Sequence, residues 1–469
     1  MSPRRPRARR EVIMAASLIA IYAKAGDSLR RLSPMFYRRP LDWLNFFLAD
    51  VRGGLGPYVG VFLLTQAHWN QATIGAALTV SGLIGITLHT PIGALIDATH
   101  FKRGLIVGGT FALAASALGI AWAPTLPVVL TADILMAVAG AIFAPTVAAI
   151  TLGITNQQGL PARLGRNAAF DRAGNIFIAV LAGLVGWGFS QRSVFYLVPL
   201  FAVLTSLAVL SIPAHSIDHD RARALDDNSG TADHQKPAGW HVLLERRPLL
   251  VLSAANTLFH FANAPMLLLL GQKLALAHPG EETALTSACI ITAQLVTIPT
   301  ALLVGWRANI WGRKCLLLVG FAALPIRGVL YTISDNAVWL VSVQILDGVA
   351  AGTLDALIPL VLADIMRGTG RYNAARGVLG TVQGVAGSLS MTVAGFLVMG
   401  TGFSATFLAL STVALVAWLL LLTAMPETGT TYLRLAKKKL GRGAPSEFTQ
   451  KDDVSHGAGH PGVAWAHVR

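Results

Sequence analysis

The chain has 469 residues, 54% of them hydrophobic and 13% charged, with a mean hydropathy of +0.59 and a net charge of +14. Soluble domains average about 25% charged residues, so this chain cannot cover its surface with charge and must turn much of it to lipid. The basic balance does not point to nucleic acid, because Lys and Arg fall in the tails and in short loops between apolar runs, as the positive-inside rule produces.

In chain order, residues 1–40 come first: a basic start and an apolar stretch that Lys24 ends too early to span a bilayer. The stretch reads as a retained cytoplasmic tail with an interfacial helix, a cleaved signal peptide being the alternative. Apolar runs of spanning length follow at 41–65, 72–96, 104–122, 126–152, 168–189 and 193–213. Six more lie at 248–272, 284–306, 315–333, 337–363, 376–400 and 403–424. We number these spans one to twelve. Between the two sets, 214–247 is polar, mixed in charge and rich in turn formers, which marks a linker. The expected organisation is a basic tail (1–40), a six-helix bundle (41–213), a cytoplasmic linker (214–247), a second six-helix bundle (248–424) and a basic tail (425–469).

The fold class is therefore an all-α membrane protein with twelve transmembrane helices in two pseudo-symmetric bundles. The segments after spans two, four, eight and ten hold Lys102, Arg103, Arg163, Arg166, Arg307, Arg313, Lys314, Arg367 and Arg371, whereas those after spans one, three and eleven hold no Lys or Arg. This asymmetry puts both termini on the cytoplasmic side of a cell (inner or plasma) membrane.

An internal repeat links the halves. "PIGALIDATHFKRG" after span two matches "LVGWRANIWGRKC" after span eight, with Gly93 and Asp97 aligned to Gly305 and Asn309 and each stretch ending in adjacent basic residues. "ILMAVAGAIFAP" in span four likewise matches "ILDGVAAGTLDA" in span ten. Two halves with matching loops and spans indicate a duplicated six-helix unit.

The duplicated Gly-x-x-x-Asp loop with its basic pair, the six-plus-six layout and the charged linker resemble the major facilitator superfamily over about residues 41–425. Ala98 and His100 stand where that family usually has Arg and Gly, and Asn309 replaces the second Asp. The resemblance implies transport by alternating access, and a cytoplasmic gate formed by Gly93, Asp97, Lys102 and Arg103 with Asn309, Gly312, Arg313 and Lys314. It also implies that spans one, four, seven and ten line a central cavity. The family's proton-coupled drug exporters carry an arginine in span four and Gly-Pro in span five; Met136 and "AGLVGWG" stand there instead.

Charge inside a span needs a partner or a wet cavity, and a few kcal/mol attach to each mid-membrane ion, roughly 2.5–3.5 on insertion scales. Asp50 and Arg52 in span one, Asp133 in span four, His260 in span seven, and Asp347 and Asp355 in span ten are the candidates for a substrate and coupling pathway. Asn256, His260 and Asn263 follow i, i+4, i+7, one face of a helix and hence a cavity wall; a polar face can also hold helices together by hydrogen bonds. Arg327 in span nine and Asp347 are placed at similar depth, as a structural or a switching ion pair. Asp171 and Arg172, near the cytoplasmic end of span five, read as gate contacts or as a solvated interface rather than a substrate site. Within span one, Gly53, Gly54, Gly56 and Pro57 can kink the helix beside Asp50 and Arg52.

Cys289 and Cys315 form no metal spacing, and no phosphate loop or catalytic grouping is visible, so neither an enzyme nor a bound cofactor or metal is expected. The expected function is secondary active transport of a small molecule, coupled to protons with Asp50 as first carrier ahead of Asp347 and His260. The basic tails resemble those of efflux members, which implies export. A monomer in the lipid bilayer is expected. The alternatives are a uniporter or uptake symporter of the same fold and, from another class, a non-transporting membrane sensor or scaffold.

Overall fold

A computed structural model of the chain describes residues 38–53, 55–99, 101–155, 159–217, 242–369 and 371–429. All regular secondary structure among them is helical. Most of both tails and of the linker therefore lie outside the described residues. Eight segments are long and apolar enough to cross a membrane. They include Gln71–Ala98 (span two), Lys102–Trp122 (three), Leu126–Ile154 (four), Leu160–Gly188 (five), Glu282–Trp311 (eight) and Ala337–Ile365 (ten). Span six is a short helix, Gln191–Phe195, followed by Leu197–Leu210. The long helix Tyr372–Ala424 changes direction at Gly402, whose φ of 83° favours glycine, and so supplies spans eleven and twelve.

The other three apolar stretches are interrupted by charge or by breaks. Span one is two helices, Arg38–Gly53 and Leu55–Thr65, with Pro57 in the first turn of the second. Span seven is likewise two, Arg247–Asn263 and Met266–Ala277, with Pro265 at the join. Span nine, Arg313–Leu330, carries Arg313, Lys314 and Arg327.

Helix starts make the duplication plain. Gln71 and Glu282, Lys102 and Arg313, and Leu126 and Ala337 are each 211 residues apart, and both members of the last pair of helices are 29 residues long. The broken spans one and seven also correspond. Span five starts at Leu160, well before the apolar run at 168, so Arg163 and Arg166 belong to a helix rather than a loop. The charged extension is held because Arg163 and Arg166 both pair with buried Asp42 of span one, at 2.6 and 2.7 Å. Arg163 also bonds Asn167 Oδ1, and Asn167 donates to Thr151.

Buried apolar side chains form two large clusters, one drawn wholly from residues 249–425 and one from 41–217 joined by Leu268. Each half thus has its own core. Outside them, large apolar residues such as Leu184, Leu302, Val338 and Phe396 are exposed, which suits faces bathed in lipid.

The turns at 99–101, 312 and 366–371 mark one end of the bundle, the basic end; the turns at 66–70, 123–125, 278–281 and 332–336 mark the far end. At the far end the halves touch. Span two meets span eleven where Thr79 Oγ1 donates to the Ser388 carbonyl (2.6 Å) and bonds Thr392 Oγ1 (2.7 Å). Span five meets span eight at Gly186 against Thr283, and Tyr58 bonds Ser287 at 2.8 Å. A Cβ on Gly75 would stand 2.3 Å from the Met391 carbonyl oxygen, so only glycine permits this approach. Among the described residues, no hydrogen bond between the halves lies closer to the basic end than the Arg172–Asp355 pair.

At the basic end each half ties off its own helices. Glu427 accepts from the backbone N–H groups of Arg313 (2.9 Å) and Lys314 (3.1 Å), capping span nine at its positive pole. Glu427→Ala leaves those two N–H groups bare, and we expect it to lower stability by about 1 kcal/mol. A fall in the melting midpoint of the purified protein, smaller for Glu427→Gln, checks this.

Candidate functional site

A cavity of about 360 Å³ lies in the second half, walled by spans seven, ten and eleven. Asn256, His260 and Asn263, on one face of Arg247–Asn263, supply one wall. Asp347 and Asp355 come from span ten, and Arg376 and Gln383 from span eleven. Phe259, Leu354, Ile358 and Leu379 supply apolar surface between them. The lining runs from mid-bundle at Asn263 and Asp347 toward the basic end at Pro359 and Arg376.

The cavity floor is a buried polar network. Arg327 is 2% exposed, and its guanidinium contacts the Asp347 carboxylate and donates to Asn263 Oδ1. Its charge is therefore shared between two cavity-lining groups, while Nε is without a partner. Behind it stands Tyr331, whose ring lies 5.9 Å from the guanidinium and whose carbonyl accepts from Lys273 (2.8 Å). Lys273 in turn pairs with Asp335 at the far end. Higher in the wall, Asn256 Nδ2 donates to Gln383 Oε1 (2.7 Å), joining spans seven and eleven. On the rim Arg172 of the first half bridges to Asp355 and to Gln294 (2.9 Å), so spans five, eight and ten meet through one guanidinium.

Five of the eight pathway candidates, Asn256, His260, Asn263, Asp347 and Asp355, line this one cavity. Asp133 does not; it is buried in span four within the first half, seven residues from the helix start, with Oδ2 unpartnered. Asp50 and Arg52 belong to the helix Arg38–Gly53, directly before the break, and their side chains lie outside the described residues. Among the gate candidates, Lys102 is buried and caps span two through the Ile96 (2.9 Å) and Thr99 (3.0 Å) carbonyls. Arg103 binds the Ile212 carbonyl at the end of span six, and its counterpart Lys314 binds the Leu422 carbonyl at the end of span twelve. Arg313 contacts Asp364 and the Leu360 carbonyl. Gly312 turns the chain with a φ of 88°, Asn309 is exposed, and Gly93 has open space around it. The Asp97 side chain and residue 100 lie outside the described residues.

Sequence reading missed Gln383, Arg376 and Asp42. Gln383 is one amide in a Gly-rich run, and Asp42 and Arg376 stand at the very starts of the apolar runs 41–65 and 376–400, where charge reads as a span boundary. The signal available for Asp42 was a carboxylate at one span end with an arginine pair at the end of another.

Two bundles of long apolar helices, each with its own core, and a polar cavity in the second of them fit a multi-pass membrane transporter fold. The family model of the Major Facilitator Superfamily matches residues 42–326 and 280–467, and the chain belongs to this family. It is 45% identical to the uncharacterized MFS-type transporter Rv2456c of Mycobacterium tuberculosis over 403 residues, 85% of this chain and 96% of that protein. A second relative in the same organism, the uncharacterized MFS-type transporter Rv0849, is 25% identical over 58% of this chain and 62% of that protein. The crystal structure of the nucleoside transporter NupG shares the fold with a TM-score of 0.67 at 14% identity, covering 83% of this chain and 98% of that one. A peptide transporter POT structure gives 0.67 at 13%, covering 82% and 93%.

Proposed function

We propose that the chain is a secondary active transporter that moves a small solute by alternating access, with the cavity described above as its solute site and export as the favoured direction. One observation carries this reading: the halves are sealed at the far end by small and hydroxyl residues, while the polar cavity leads toward the basic end. That is the shape of one of the two end states of a rocking pair of bundles. The distribution of Lys and Arg supports a cytoplasmic basic end, and the open end of the cavity then faces the cytoplasm. The basic clusters Lys102–Arg103 and Arg313–Lys314 hold helix ends within their own halves, and act as the gate when the halves close at that end.

Coupling to protons has Asp50 as its first candidate carrier, beside the break in span one. In proteoliposomes, an imposed pH gradient is expected to drive solute uphill, and Asp50→Asn to abolish the uphill phase while leaving downhill exchange. Loss of neither would remove Asp50 from the coupling role. A second reading, facilitated diffusion, is favoured by a specific feature: Asp347 and Asp355 both carry an arginine partner already, which leaves no unpaired carboxylate on the described cavity wall. Transport indifferent to pH gradients would select it.

A further inference from the structure

We infer that the cavity selects a small organic anion, with an apolar body and a carboxylate-type group held by Arg376. This rests on the transporter reading of the site and adds the class of solute. Arg327 matches Asp347 and Arg172 matches Asp355. Arg376, in the second turn of the helix that begins at Tyr372, lines the same cavity and makes no hydrogen bond or ion pair among the described residues. Among the described residues one positive charge is left over.

The hydrogen-bond inventory leans the same way. Asn263 Oδ1 accepts from Arg327, and Gln383 Oε1 accepts from Asn256. These two engaged oxygens leave two donors on the same lining, the Nδ2 of Asn263 on the floor and the Nε2 of Gln383 about two turns along span eleven from Arg376. His260 also faces the cavity with no hydrogen-bond partner among the described residues. A cationic solute would have to displace a bound arginine to find a carboxylate, whereas an anion meets donors ready to receive it. A guanidinium presents a planar fork that fits a carboxylate through two parallel bonds, which a point charge cannot do. Arg376 is exposed on the basic-end side of the cavity, so water screens its charge and selectivity rests on the two-bond fit. The apolar share of the lining, Phe259 and Leu379 among it, calls for a hydrocarbon body rather than a bare inorganic ion. A volume of about 360 Å³ suits a small organic molecule.

The test uses the full chain in phosphatidylcholine nanodiscs, so that no anionic headgroup competes for the site. Equilibrium binding is measured for three probes of one shape: benzoate, benzyl alcohol and benzylamine. Benzoate is expected to bind saturably, and the other two to bind at least about tenfold more weakly. Arg376→Gln should weaken benzoate about tenfold, and Arg376→Lys should restore part of the loss. Absence of saturable benzoate binding, equal affinity in Arg376→Gln, or preference for benzylamine would overturn the inference. Its failure is separable from that of the transporter reading. A protein that carries any solute of a mixed panel in proteoliposomes but shows no Arg376-dependent benzoate binding remains a transporter without anion selection. One that binds benzoate through Arg376 and carries nothing retains the anion site and loses transport.

Discussion

Asp347→Ala is expected to destabilise the protein by about 3–5 kcal/mol, because it leaves the buried Arg327 without its carboxylate, and Arg327→Ala to cost less, because Asp347 is 21% exposed and reaches the cavity. The double variant Arg327→Met/Asp347→Leu is expected to regain most of that stability, since a buried pair replaced by apolar groups of similar size is often neutral. It should nevertheless transport at less than about a tenth of the wild-type rate. The reason comes from the duplication. With a repeat of 211 residues, the first-half counterparts of Arg327 and Asp347 are Ser116 and Met136, and that half folds around no ion pair at this place. The fold therefore does not demand the pair; the cavity, whose floor it forms, gives it a use. Melting midpoints and flux measured on the three variants decide the matter. Normal flux in the double variant would reduce the pair to scaffolding.

Gly75→Val is expected to leave each half folded and to cut transport at least about tenfold by preventing closure of the far end. A Cβ there would press on the Met391 carbonyl oxygen, and one on Gly395 would stand 2.4 Å from the Gln71 carbonyl oxygen. Both obstacles are backbone and cannot rotate away, so the two spans must separate. Apart from Leu268 and Met391 each core is drawn from one half, so a bulky residue at the seam is expected to shift the balance between end states more than it opens a core. A cysteine placed at Ser388, in a background with Cys289→Ala and Cys315→Ser, reports the change. A membrane-impermeant maleimide added on the far side should label it about tenfold faster when Gly75→Val is present. Unchanged labelling with normal flux would show that the seam does not open during transport.

Most of the fold was legible in the sequence, because lipid imposes a simple rule on composition and length. Runs such as 126–152 need no partner to be recognised, and the repeat of the Gly93 and Gly305 loops revealed the duplication before any helix was seen. The limits of the runs were less legible. Hydropathy ends where charge begins, yet span five continues through Arg166 to Leu160, because Asp42 neutralises that extension from another helix. The site was legible only in part. The i, i+4, i+7 spacing of Asn256, His260 and Asn263 carried its own geometry, and the three residues share a wall. Which partner each group takes depends on helix rotation and depth, which sequence spacing does not encode. So Arg172 read as a gate residue near the membrane surface, and the structure joins it across the halves to Asp355.

The seam at the far end is made of glycines, threonines and serines with the Tyr58 hydroxyl, and among the described residues its hydrogen bonds between the halves involve no charged side chain. Contacts of this kind are indifferent to ionic strength and to proton concentration, since there is nothing in them to screen or to titrate. The solution bathing that face therefore has little direct hold on the seam. Any sensitivity of the closed state to salt or acidity has to enter through the wet side, where Arg172 and Asp355 stand 32% and 55% exposed, within reach of mobile ions. The molecule is thus chemically lopsided: one door is held by shape and the other by charge.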